Sequence, residues 1–169
     1  MPTTIVTKQR VTVILTSMLQ CLIGFAVAEE LPDLGQALWL DGSPSSAKFL
    51  AAARLNGTES FTDSFLTQDV ISLHAEIQVE QQHINQVGNL FVIAELDGQY
   101  LMRNQQGAFV DWNFQLSTLM RTVENKILQA LEPMTIVGNT EVGSLGLAGA
   151  RVALYFAYET SAAPGELIY

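Results

Sequence analysis

His74 and His83 are the only imidazoles in the 169-residue chain, so any acyl-transfer site would have to use one of them with a nearby serine and an orienting acid. No Gly-x-Ser-x-Gly elbow is present, and the serines, histidines and aspartates keep no mutual spacing that would gather them. His74 alternates with Glu76 and Gln78, which places it on the wet side of a strand pattern, and His83 stands in a polar stretch. The acids suit either glycoside cleavage or Ca²⁺ binding by residue type. Yet Asp63, Asp69, Glu76, Glu80, Asp97 and Asp111 are scattered, without the tight spacing that crowds oxygens around one ion. A calcium site would have to be assembled at loop edges from distant residues. No cofactor is expected.

The aromatic residues are the stronger lead. "NLFVIAELDGQYLMRNQQGAFVDWN", residues 89–113, holds Phe91, Tyr100, Phe109 and Trp112. Flat apolar ring faces with polar rims suit the stacking of sugars and the surfaces of protein partners. Tyr100, Arg103, Asp111 and Trp112 form the candidate binding face. The competing expectation is that Trp112 and Phe91 are core residues packed beneath a neighbouring sheet or segment. Register decides between the two, because successive strand residues face opposite ways.

The elements that must position these residues are mostly strands. In "DVISLHAEIQVE", 69–80, Ile71, Leu73, Ala75, Ile77 and Val79 share one face and the polar residues share the other. "NLFVIAEL" and "QYLMRN" flank Asp97-Gly98, a pair that favours a type I′ hairpin because both residues tolerate positive φ. Gln106-Gly107 marks a second turn into "AFVDW", which makes a three-stranded meander over 89–112. The spacing of Leu116, Leu119, Met120, Val123, Ile127 and Leu131 predicts a helix stopped by Pro133. "SSAKFLAAARLNG", 45–57, fits a helix by its alanines and a strand by its alternation. In "RVALYFAYE" both faces are apolar, which predicts a central strand or one covered on both sides.

The chain opens with Lys8 and Arg10, an apolar run from Val11 to Ala28, and Ala26-Val27-Ala28 before Glu29-Glu30. This is the pattern of a secretory signal peptide over 1–28. A retained anchor competes with it, and lipidation of Cys21 is disfavoured by Gln20 just before it. Cleavage would remove both early cations and the single cysteine, and would take the formal charge from −9 to −11. Such a chain repels nucleic acid and anionic membrane surfaces, and it has no thiol for catalysis, a disulfide or a metal. Residues 29–46, with Pro32, Gly35, Gly42 and Pro44, read as a leader loop in which Trp39 and Leu40 are placed to dock onto the domain. The domain proper spans 47–169.

The order of "DVISLHAEIQV", a loop with His83 and "QVGN", the long hairpin with Trp112, "LSTL", and "LYFAY" followed by "GELIY" resembles an uncharacterised β-sandwich region of secreted and surface proteins of Gram-negative bacteria. The resemblance covers about Ala47 to Tyr169. It implies that "AKFLAAARLNG" is a strand, that only the start of 116–131 is helical, and that the part near "KILQAL" is a strand. It carries no catalytic residues. Tyr100 stands where that pattern usually has tryptophan, and alanines at 51–53 stand where it has small glycines.

Together these expectations describe an all-β fold, an immunoglobulin-like antiparallel β-sandwich of about seven or eight strands with one short helix. The expected function is that of a non-enzymatic, exported structural or protein-interaction module, periplasmic or extracellular. Its partner would be an envelope or extracellular protein, or a glycan bound on the aromatic face; a hydrolase is the third alternative. Self-association through a sheet edge is also expected, because "GELIY" reads as an open terminal strand.

Overall fold

The computed structural model describes residues 30–169; the expected signal peptide lies outside them. The described chain is mostly β, with one three-stranded and one five-stranded antiparallel sheet. The first sheet joins β1 (Lys48–Leu55), β2 (Val70–Gln78) and β7 (Leu131–Glu141), with β2 in the middle. The second is built on β3 (Val87–Leu96). Along one side β3 pairs with β8 (Val152–Thr160) from Gly88 to Leu96. Its other side is shared by β6 (Val123–Ile127), which pairs near Val87 to Leu90, and β4 (Gln99–Arg103), which pairs from Ile93 to Leu96. β5 (Phe109–Asp111) lies beyond β4. Thr122 stitches the point where the partner changes: its N–H donates to Leu90 O (2.9 Å) and its hydroxyl to Arg103 O (2.9 Å).

The two sheets enclose one core, which makes the architecture sandwich-like. Ala75, Ile77, Met134 and Ile136 of the first sheet meet Leu90, Val92, Phe156 and Tyr158 of the second. The alternation of β2 is observed as expected, with Ile71, Ala75 and Ile77 inward. Asp97 (φ 50°) and Gly98 (φ 84°) form the positive-φ hairpin turn between β3 and β4.

Three local readings are decided by strand pairing. Lys48–Leu55 is a strand, the reading its alternation offered and the resemblance implied, because pairing with β2 along all eight residues outweighs a propensity of at most about 1 kcal/mol per residue. The helix expected over 116–131 shrinks to a single 3₁₀ turn, Leu116–Thr118, followed by β6 and β7; tertiary pairing again overrides a helical spacing. β8 is covered on both faces only from Phe156 to Thr160, and it is not central, since its far side meets only the chain end at Ile168. Among the described residues no helix is long and apolar enough to cross a membrane.

The leader is an ordered strap. At one end Leu34 N–H donates to Phe49 O (2.8 Å) and Ala51 N–H to Pro32 O (3.2 Å), which covers the outer edge of β1. At the other, Leu38 exchanges both backbone hydrogen bonds with Tyr169 (2.7 and 2.9 Å), and Ile168 exchanges both with Tyr158 of β8 (2.9 and 3.0 Å). "GELIY" is therefore no open edge: Leu167 and Ile168 are buried and Ile168 is paired on both sides. Trp39 packs on the core and meets the His83 ring edge-on at 5.6 Å, whereas Leu40 stays exposed.

The strap is held by a buried polar network. The Ser45 hydroxyl and the Ser46 N–H both donate to Glu80 Oε1 (2.7 and 2.8 Å), and Gln82 Nε2 donates to Oε2 (2.8 Å). The Tyr158 hydroxyl, on a fully buried side chain, accepts the Glu80 N–H (3.1 Å) and lies 3.0 Å from His83 Nδ1. Burial alone would raise the Glu80 carboxyl. The hydrogen bonds from Ser45, Ser46 and Gln82, with the nearby His83, outweigh burial and hold it below its usual value.

A glutamate depressed in the folded state stabilises the fold above its unfolded value of about 4.3, and that stability is lost as the pH falls through the lower folded value. Urea midpoints of the wild type should therefore drop more steeply below pH 5 than those of Glu80→Gln. Tyr158→Phe leaves the buried Glu80 N–H without its acceptor and should cost about 1–3 kcal/mol by equilibrium unfolding. The surface change Tyr155→Phe should cost less than about 0.5 kcal/mol.

Candidate binding face

Strand alternation gives the five-stranded sheet two apolar faces. The inner face, from Leu90, Val92, Phe156 and Tyr158, belongs to the main core. The outer face carries Phe91, Ile93 and Glu95 of β3, Tyr100 and Met102 of β4, and Tyr155 and Ala157 of β8, as the register of these strands requires. At one end Phe91 and Ala157 lie under Leu167 and Leu119, a second small core. Phe91 is thus interior, as one of the two competing expectations held.

At the other end the face is open and aromatic. The Trp112 N–H donates to Tyr100 O (2.9 Å), so these two residues stand opposite each other on the same side. Phe114 follows, its ring 4.4 Å from Tyr100 edge-on and 5.2 Å from Trp112 in a stacked arrangement. Tyr155 reaches in from β8, its ring 6.3 Å from Tyr100 and nearly parallel to it. The four rings form a row, Tyr155–Tyr100–Phe114–Trp112. Phe114 is 59% exposed and Tyr155 45%, while Tyr100 and Trp112 are half-buried. Leu116 and Met120 extend the exposed apolar surface.

Within this row lies Glu95, directly opposite Tyr100 in the β3–β4 register. The Tyr155 hydroxyl donates to Glu95 Oε2 at 2.7 Å. Hydrogen bonding to Glu95, with its negative charge close by, pushes Tyr155 up to about 12 and raises Tyr100 as well.

Phe114 is held at φ 64°, a left-handed conformation that bulky residues avoid. Its neighbours fix it there. Asn113 Oδ1 accepts the Gln115 N–H (3.1 Å) and the Thr118 hydroxyl (2.6 Å), and Trp112 Nε1 donates to Gln115 O (3.2 Å). The turn therefore presents a phenyl ring to solvent at a backbone cost.

The four sequence candidates divide into two pairs. Tyr100 and Trp112 come together; Arg103 and Asp111 share the opposite face of the sheet. Arg103 pairs with Phe109, whose ring packs on the main core, and its guanidinium passes over Gly107, where a Cβ would lie 3.1 Å from Nη2. Its Nε is buried without a hydrogen-bond partner, and burial lowers the group from its usual value. Asp111 is exposed and accepts a hydrogen bond from Gln99 (2.7 Å).

No family model, curated protein or solved structure matches the chain.

The candidate hydrolytic residues occupy other places. His83 is buried against Tyr158, and His74 lies on the surface, 3.4 Å from the Thr135 hydroxyl. Among the described residues neither histidine hydrogen-bonds a serine, and no group of three or more acids, histidines or cysteines could hold a metal ion. A recess of about 580 Å³ is lined by Pro44, Ser46 and Glu80–Gln82, but both Glu80 oxygens there are engaged by the leader and Gln82. Sequence reasoning missed Phe114 and Tyr155. Phe114 lies past the end of a strand, where no period applies, and Tyr155 joins the row only through the β3–β8 register.

The strain at residue 114 has a measurable sign. Phe114→Ala and Phe114→Gly remove the same ring, but only glycine adopts positive φ freely, so Phe114→Gly should be the more stable of the two by about 1 kcal/mol in urea unfolding.

Proposed function

We propose that this chain is an exported, non-enzymatic interaction module that recognises an envelope or extracellular protein through the aromatic end of its outer sheet face. The observation that carries the reading is Phe114: an exposed ring on a strained backbone, seated on Trp112 and Tyr100. Strained positions persist where the surroundings over-determine them, and they cluster at binding sites. Exposed aromatic clusters with polar rims are also the commonest anchors of protein interfaces. Export rests on the signal-like pattern over 1–28, and the scaffold within this proposal is an immunoglobulin-like sandwich, supported by its antiparallel sheets around one core.

A glycan platform needs ring faces lying open side by side. Here Phe114 stacks on Trp112 and meets Tyr100 edge-on, so the rings share no single open plane, which favours a knob inserted into a protein surface. Pairing between copies, a secondary route, would use β5, β6 or β7 at the sheet ends, because the chain end is covered.

The test is capture from an envelope fraction with immobilised wild type, Phe114→Ala and Trp112→Ala, beside a glycan array. Loss of an anchor ring at a hot spot costs about 2–4 kcal/mol, so a partner held by the wild type should bind each variant at least about thirtyfold more weakly. Undiminished capture by both variants would reject the face. Glycan binding lost in Trp112→Ala would move the assignment to carbohydrate.

A further inference from the structure

Resting on the reading of this face as a protein-recognition surface, we propose that Glu95 receives a lysine or arginine side chain of the partner, with the stem of that side chain lying along the rings of Tyr100, Phe114 and Tyr155. Two observations and one general property of aromatic rings point to a cation. Glu95 lies on the outer face among rings, and its neighbour across the β3–β8 register is Ala153, exposed and too small to cover that flank. The four ion pairs of the described residues involve Glu80, Glu124, Glu132 and Glu159, so the Glu95 charge is met by a tyrosine hydroxyl and by no described lysine or arginine. The π faces of the surrounding rings are themselves negative at their centres, so carboxylate and rings attract the same kind of group.

The rest of the chain agrees in sign. Seventeen acids face eight lysines and arginines, which steers a basic partner toward the domain over long range. An arginine or lysine also has the right shape, since its aliphatic stem covers apolar surface while its head stays polar. A partner carboxylate would instead be repelled by Glu95 at contact distance.

The probe is the peptide acetyl-Arg-Gly-Arg-Gly-Arg-amide, titrated into the full chain while the NMR signals of Tyr100, Phe114 and Glu95 are followed. Its citrulline counterpart keeps the shape of the side chain and removes the charge. Saturable shifts with the arginine peptide, about tenfold weaker with citrulline and about tenfold weaker in Glu95→Gln, are expected. Urea midpoints of Glu95→Gln and wild type confirm that both are folded. Arginine binding undiminished in Glu95→Gln, equal binding of the citrulline peptide, or no saturable shift at these signals would overturn the proposal. If that happens while Phe114→Ala still abolishes partner capture, the cation assignment alone falls. If Phe114→Ala also leaves capture intact, the recognition face falls with it.

Discussion

A sheet with apolar side chains on both faces needs cover on both, and the described residues cover one face of the larger sheet and only half of the other. The inner face is met by the three-stranded sheet, and the resulting core holds the fully buried Ile77, Leu90, Val92 and Tyr158. On the outer face Leu119 and Leu167 close over Phe91 and Ala157 and then stop. What remains is a row of rings too large to be scattered surface residues and too open to be core. Burying apolar area contributes about 25 cal/mol per Å², so an uncovered aromatic end is a standing source of binding energy for whatever fits it.

The same shortage explains the leader. Two sheets of unequal size leave edges, and unpaired edges invite association with other chains. Residues 32–39 answer this by adding backbone hydrogen bonds to β1 and to the chain end beside β8. The strap then needs an anchor, and the anchor is a buried carboxylate. Glu80 is tolerated inside because Ser45, Ser46 and Gln82 supply donors to its oxygens, replacing the water it gave up. His83, which as a residue type suggested catalysis, is occupied in the same network. It turns Nδ1 to Tyr158 and its ring to Trp39.

Much of this was legible in the sequence where a period-2 pattern or turn chemistry was strong. β2, the Asp97-Gly98 hairpin and the meander to Asp111 follow from alternation and from residues that accept positive φ. The propensity readings failed where pairing partners lay far along the chain. Alanines at 51–53 sit in a strand because β2 is there to pair, and the apolar residues from Leu116 to Leu131 keep helical spacing while serving a 3₁₀ turn, a loop and two strands. The site was half legible for the same reason. Tyr100 and Trp112 meet through a local hairpin register, whereas Arg103 and Asp111 fall on the other face by the alternation that separates odd from even positions in β4. Tyr155 joins them across more than fifty residues, through a register that no local pattern encodes.

Phe114 shows how site and fold compete. A left-handed backbone costs a bulky residue about 1–2 kcal/mol, and leaving a phenyl ring in water forgoes most of what its burial would contribute. Glycine would remove the first cost and a polar residue the second, and the surrounding hydrogen bonds of Asn113, Gln115 and Thr118 would hold the turn with either. The ring's contacts with Tyr100 and Trp112 return part of the loss, but a ring this exposed cannot recover it within the domain. Glu95 lies on the same outer face opposite Tyr100, accepts from the Tyr155 hydroxyl, and meets no lysine or arginine among the described residues. Phe114 thus costs the isolated domain stability that a partner burying its ring would return, and this is the physical content of the proposed recognition face.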